Sequence, residues 1–264
     1  MRTAFLALVF AGVASAATAQ TEKVVEIQSR GAVVRALLTV PANPVASVVL
    51  LAGGHGILAI SPDGKIGWGA GNQLVRTRAA YAKAGFATIV PDAASDMGTP
   101  KAPKNGFRWS AEHGRDIAAV VAYMRTIKQP VALVGTSRAA VATGASLAHV
   151  TGPGRPDMVA LTAPMLMTHG SQPSFQQAMG NNPAKAQLPF LVVGHRKDTC
   201  AYTLPASIDA FRQWHGGKLD VVMLDGPDGR GDPCEAQAAH GFAGIDGEVV
   251  STVSAWVKAR AAGK

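Results

Sequence analysis

The sequence predicts an α/β chain: a mostly parallel central sheet, helices on both of its faces, and an antiparallel hairpin at the N-terminal end. Three observations point there. Short, unbroken apolar runs recur at residues 47–51, 86–90, 131–134, 158–161 and 189–193, the pattern of strands buried on both faces. Stretches with helical spacing fall between them, and strand–helix alternation at this interval builds parallel sheets. The hydrophobic fraction of 48% against 16% charged residues supplies a sizeable core and excludes a disordered chain. No repeat and no change in composition divides the 264 residues, so they read as one domain.

The elements follow in order. Residues 1–19 have the form of an export signal: Arg2 is a short positive start, 3–13 are apolar, and Ala17-Thr18-Ala19 fits the small-x-small cleavage rule. Ala14-Ser15-Ala16 fits it too, and cleavage after Ala19 gives a mature domain over 20–264. That apolar run is too short to cross a membrane, and no later segment reaches the necessary ~18 residues. Export implies a periplasmic or secreted protein. Residues 23–28 and 33–40 alternate like an exposed hairpin around Gly31. The strand at 47–51 runs into Gly53-Gly54-His55-Gly56. Helical spacing over 74–83 stops at Gly85, and the strand at 86–90 ends at Pro91-Asp92. A helix over 112–127 places Ile117, Val120, Val121 and Met124 on one face. The strand at 131–134 leads into a small-residue helix over 140–150. Residues 165–187 are the least regular segment, polar with Gly, Asn and Pro, and the size of a minimal cap. A helix at 208–214, a strand at 219–224 and a terminal helix at 247–259 complete the series.

Net charge is +8. Nucleic-acid binding needs Lys and Arg clustered with aromatic residues. The longest basic cluster here is His195-Arg196-Lys197, so no polyanion partner is expected.

The sharpest chemical signal is Gly135-Thr136-Ser137-Arg138-Ala139. It joins an apolar strand to a helix, the context of a nucleophile elbow. A serine on such a turn points its hydroxyl out at the top of the sheet. A Gly-x-Ser alone could equally be a helix cap; the strand before and the helix after favour the elbow. Ala139 stands where glycine is usual, one methyl larger.

A serine nucleophile needs a base, usually His, and a carboxylate that orients it. The order in such chains is Ser, Asp or Glu, then His. Of seven histidines, His195, His215, His240 and, marginally, His169 follow Ser137 far enough. His240 lies between the last strand and the last helix, where a loop reaches the carboxyl end of the sheet. His215 reads as a helix C-terminal cation. Asp198 follows the strand at 189–193 and is the preferred acid. Asp225 and Asp228 follow the last strand, and Asp92 precedes the serine, against the usual order.

Cys200 and Cys234 are the two cysteines. In an exported protein they read as a disulfide, not as metal ligands. The first is two residues after Asp198 and the second six before His240, so a bridge would tie the acid loop to the base loop. The oxyanion needs two donors: the Arg138 N–H, and a second from His55 or Gly56 in the glycine-rich loop. Glu112-His113-x-x-Asp116 reads as capping and surface charge, no second ligand cluster accompanies it, and no metal or cofactor is expected.

These motifs together resemble the α/β-hydrolases across essentially the whole mature region, and more narrowly a group of small exported proteobacterial members. The matching pieces are Gly53-Gly54-His55-Gly56-Ile57-Leu58, Asn72 through Arg78, Glu112-His113 with Asp116-Ile117, Gly135-Thr136-Ser137-Arg138, Asp198-Thr199-Cys200, and Pro233-Cys234 with His240-Gly241-Phe242. The dienelactone hydrolases are similar at a greater distance and usually carry a cysteine nucleophile. The resemblance implies Ser137 as nucleophile, Asp198 as acid and His240 as base. The expected activity is cleavage of a carboxylic ester or related acyl bond in a small molecule through an acyl-enzyme. A peptidase on the same fold, or a non-catalytic scaffold, is the alternative.

Overall fold

The structure is a computed structural model that describes residues 21–263. The export signal expected over 1–19 lies outside the described residues. Among the described residues, ten strands and seven α-helices follow one another. The hairpin is β1 (Glu22–Ser29) and β2 (Ala32–Thr39). Then come β3 (Ala46–Leu51), α1 (Gln73–Arg76), α2 (Arg78–Lys83) and β4 (Phe86–Pro91). A two-residue ribbon, β5 (Gly98–Thr99) with β6 (Ala102–Pro103), precedes α3 (Ala111–Ile127), β7 (Val131–Thr136) and α4 (Ala139–His149). The last elements are β8 (Met158–Thr162), α5 (Phe175–Ala178), β9 (Phe190–His195), α6 (Ser207–His215), β10 (Leu219–Leu224) and α7 (Asp246–Ala261).

Eight strands form one sheet in the order β1-β2-β4-β3-β7-β8-β9-β10. Every pairing from β4 to β10 is parallel, and the two involving β2 are antiparallel. Side chains alternate across each strand and divide the interior into two cores. Val49, Leu51, Leu133 and Val192 meet Ile117, Val121 and Met124 of α3 and Phe211 of α6 on one face. Val48, Leu50, Val134 and Val193 meet Leu74, Tyr81 and, from α7, Val249, Val253 and Val257 on the other. The all-apolar runs in the sequence reflect this two-sided burial: every residue of β3, β4, β7, β8 and β9 is buried.

Three expectations are corrected. The hairpin is not simply exposed, because β2 pairs with β4 and sends Val34, Ala36 and Leu38 into the first core. The helix expected over 74–83 is divided at Thr77 (φ −94°, ψ 0°), whose N–H and hydroxyl both donate to the Gln73 carbonyl, at 3.1 and 2.7 Å, and whose own carbonyl accepts from Ala80 at 2.8 Å as the chain starts its next turn. His113 is not surface charge. Ser110 caps α3 by accepting the His113 N–H, and the imidazole is buried edge-on to Phe107. Burial, with Arg108 and Arg30 nearby, holds it neutral far below the usual histidine range. Asp116 is buried with it, pairs with Arg30 at 2.7 Å and accepts the Ser29 hydroxyl at 2.7 Å.

Candidate active site

Ser137 sits between β7 and α4 at φ +56°, in the left-handed region that a non-glycine residue enters only at a cost of about 1–3 kcal/mol. The surrounding backbone holds it there. Its N–H donates to the Thr162 carbonyl at 3.0 Å, and its carbonyl accepts from Met165 at 3.1 Å. Neighbouring glycines make the room. A Cβ at Gly53 would lie 3.1 Å from the Ser137 Cβ, and one at Gly135 only 3.0 Å from the Thr143 hydroxyl. Ala139 replaces the usual glycine without disturbance: it is fully buried, and its carbonyl accepts the Thr143 hydroxyl at 3.0 Å.

Asp198 lies just past β9 and His240 in the turn before α7. The structure brings these two together across 42 positions of sequence: Nδ1 of His240 is 3.1 Å from Oδ2 of Asp198, with both side chains buried. The other carboxylate oxygen accepts the Cys200 N–H at 2.9 Å. A third partner escaped the sequence reading. The Thr203 hydroxyl donates to Asp198 Oδ2 at 2.8 Å and lies 2.9 Å from His240 Nδ1. The network therefore puts the imidazole proton on Nδ1, shared between Thr203 and Asp198, and leaves Nε2 as the basic nitrogen. Only its place five residues after Asp198 could have flagged Thr203, and threonine is too common in loops for that to be a signal. The expected result of Thr203→Val is a fall of about 10- to 100-fold in kcat/KM, the worth of one hydrogen bond to a charged group. Unchanged kinetics with an intact fold would show that the threonine orients nothing.

Ser137 and His240 line one cavity of about 290 Å³, together with Trp68, Gln73, Cys234 and Gly54. Arg76 holds the histidine turn from below, donating to the Gly241 carbonyl at 2.6 Å and pairing with Asp246 at 2.8 Å.

The disulfide is formed: Cys200 and Cys234 are joined at 2.06 Å, linking the Asp198 loop to the segment that runs into His240. The ligand-bearing atoms of Asp198, Cys200 and His240 lie within 4.8 Å of one another, but the Cys200 sulfur is spent in the disulfide and offers no thiolate. Because the sheet has its own core while the bridge sets the register of the two loops, reduction should cost activity before it costs secondary structure. A displacement of about 1 Å in such a site can cost roughly 100-fold in rate. Dithiothreitol titrations followed in parallel by turnover and far-ultraviolet circular dichroism should show the first curve falling ahead of the second; coincident curves would assign the bridge to stability alone.

The other candidate acids and bases have other partners. Asp225 and Asp228 are exposed and pair with Arg196 at 3.1 Å and Lys197 at 2.9 Å. Asp92 accepts the N–H groups of Leu58 at 2.6 Å and Ile60 at 2.8 Å, anchoring the glycine-rich loop; burial pushes its carboxyl above the usual range. His195 is buried against Phe242, and His215 faces the Ala186 carbonyl at 3.2 Å. His169 stacks on Tyr202.

Of the oxyanion candidates, Arg138 directly follows the serine. The second donor is placed less simply. Gly54 lines the cavity of Ser137, while His55 and Gly56 border other cavities shared with Arg108. His55 stacks on Trp68 with ring centroids 3.7 Å apart. Gly56 has φ +73°, and any Cβ there would collide with the Arg108 guanidinium. The segment 165–187 is no free flap: α5 packs against α4 through the fully buried Phe175 and carries a capping box of Ser174 and Gln177.

A parallel sheet flanked by helices, with an antiparallel start, recurs in solved structures. An α/β serine hydrolase homologue from Coxiella burnetii superposes with a TM-score of 0.61 at 14% identity, over 90% of this chain and 98% of that one. The fold is that of the α/β-hydrolases. A lidless α/β serine hydrolase from Xanthomonas campestris matches this chain with a TM-score of 0.59 at 13% identity, covering 92% and 97%. A dienelactone hydrolase from Anabaena variabilis matches with a TM-score of 0.59 at 16% identity, covering 90% and 96%. No family model and no curated protein matches the sequence.

Proposed function

We propose that this α/β-hydrolase chain is a serine hydrolase that cleaves a carboxylic ester. The observation that carries the reading is a strained serine sharing a cavity with a histidine whose far nitrogen is bound to a buried carboxylate. Ser137 attacks the ester carbonyl while Nε2 of His240 takes its proton. The Arg138 N–H and one donor from the loop of Gly54, His55 and Gly56 stabilise the oxyanion. His240 returns the proton to the leaving alkoxide, and water then releases the acyl group by the same route. Asp198 keeps the imidazole in the required tautomer and offsets its transient charge. Esters are favoured over amides because an alkoxide leaves more easily. The disulfide supports an oxidising compartment, in keeping with the export signal. No helix among the described residues is long and apolar enough to cross a membrane.

A fluorophosphonate probe tests the reading. Covalent labelling confined to Ser137 is the expected result. Failure to label the folded protein would favour a scaffold that keeps the fold without the reaction.

A further inference from the structure

Beside the site lies a second cavity of about 210 Å³, bordered by His55, Lys104, Arg108, Trp109, Arg138 and Gln172 among others. Three cations border it and, among the described residues, no carboxylate does. Arg108 is only 5% exposed. Its one hydrogen bond runs from Nη2 to the Ala52 carbonyl at 2.8 Å, and its Nε has no partner. Neither Arg108 nor Arg138 forms an ion pair among the described residues. Burial, and then the charge of Arg138, lowers the Arg108 guanidinium to about 9, so it stays charged at neutral pH. Lys104 is exposed at the rim and is felt by Glu112 and Asp96.

Buried charges are normally paired, because an isolated one is costly to hold out of water. Arg108 is nonetheless accommodated, for Gly56 has no side chain where the guanidinium lies. One carbonyl uses one of its five N–H donors. An anion entering beside Arg108 and Arg138 would meet two guanidinium groups able to grip a carboxylate through paired hydrogen bonds.

The location tells which part of a substrate would carry that anion, an argument that rests on the hydrolase reading. His240 must deliver a proton to the leaving oxygen, so the leaving alcohol occupies the cavity that His240 lines. The two spaces are neighbours: Trp68 borders the first and His55 the second, and these two rings lie with centroids 3.7 Å apart. An acyl group pointing away from His240 would leave Ser137 on the side of its neighbour Arg138, which borders the second cavity together with Arg108.

We propose that the acyl group carries a free carboxylate, and that the substrates are monoesters of short dicarboxylic acids. The reaction consumes one water, breaks the acyl–oxygen bond, and yields the alcohol, the dicarboxylate and one proton.

Two size-matched esters, monoethyl glutarate and ethyl valerate, test this with the full mature chain. The wild type should favour the anionic ester by about tenfold or more in kcat/KM, the range of one charge-assisted hydrogen bond. The preference should shrink with added salt and be lost in Arg138→Gln. Arg108→Gln should lose it too; if that variant does not fold, Arg138→Gln carries the test alone. A readout independent of turnover is glutarate binding to Ser137→Ala by calorimetry, abolished when Arg138→Gln is added. Glutarate binding without cleavage of either ester would keep the anion site and overturn the hydrolase reading. Equal cleavage of the two esters with no glutarate binding would overturn the anion site and leave the hydrolase intact.

Discussion

Ser137→Ala should remove ester turnover almost completely, by about 10⁶-fold if the serine, histidine and aspartate act as one unit. The substitution deletes a single hydroxyl at the tip of a turn. The backbone bonds that hold that turn, from Ser137 N–H to Thr162 and from Met165 to the Ser137 carbonyl, do not involve the side chain. Alanine also keeps the Cβ that already accepts φ +56°, so the strain is the same in both proteins. The thermal unfolding midpoint should therefore stay within a few degrees of the wild type. Assay with a p-nitrophenyl ester, alongside calorimetry of the same preparation, decides the matter. Turnover close to normal in the variant would mean that the strained serine is not the nucleophile.

Asp198→Asn should cost roughly 10⁴-fold in turnover while preserving packing. The carboxylate now accepts from the Cys200 N–H through one oxygen, and from Thr203 and His240 through the other. An amide that still accepts from Cys200 must present its NH₂ to His240. The imidazole then flips to the tautomer with its proton on Nε2, where it can take none from the serine. Asp225→Asn and Asp228→Asn are the controls. Each removes only an exposed ion pair with Arg196 or Lys197, worth about 0–1 kcal/mol. Their turnover should stay within a factor of about two, since neither carboxylate touches the histidine. A loss at either control exceeding that at Asp198 would move the acid to the loop after β10.

The divide between what was legible and what was not follows the range of the interactions. The strands at β3, β4, β7, β8 and β9 were readable because burial on both faces leaves an unbroken apolar run, a pattern local in sequence. The turn at Ser137 was readable for a similar reason: strand, glycine, serine and helix are contiguous. The break at Thr77 was not, since helical spacing persists through it and the change lies in the backbone angles of one residue. Neither was the burial of His113, because an imidazole at the start of a helix looks the same in sequence whether it meets water or Phe107.

A mostly parallel sheet, the succession of its elements along the chain, and the candidates Ser137, Asp198, His240 and the cysteine pair were legible in short patterns of residues and in the position of each loop after a strand. Only the tertiary structure decided which carboxylate faces the imidazole, that Thr203 completes the pair, and that Arg108 and Arg138 border one cavity without a counter-charge. The physical reason is that hydrogen bonds and charges act over a few ångströms of space. Asp198 and His240 are 42 residues apart in the chain and 3.1 Å apart in the fold, and no local pattern encodes that distance.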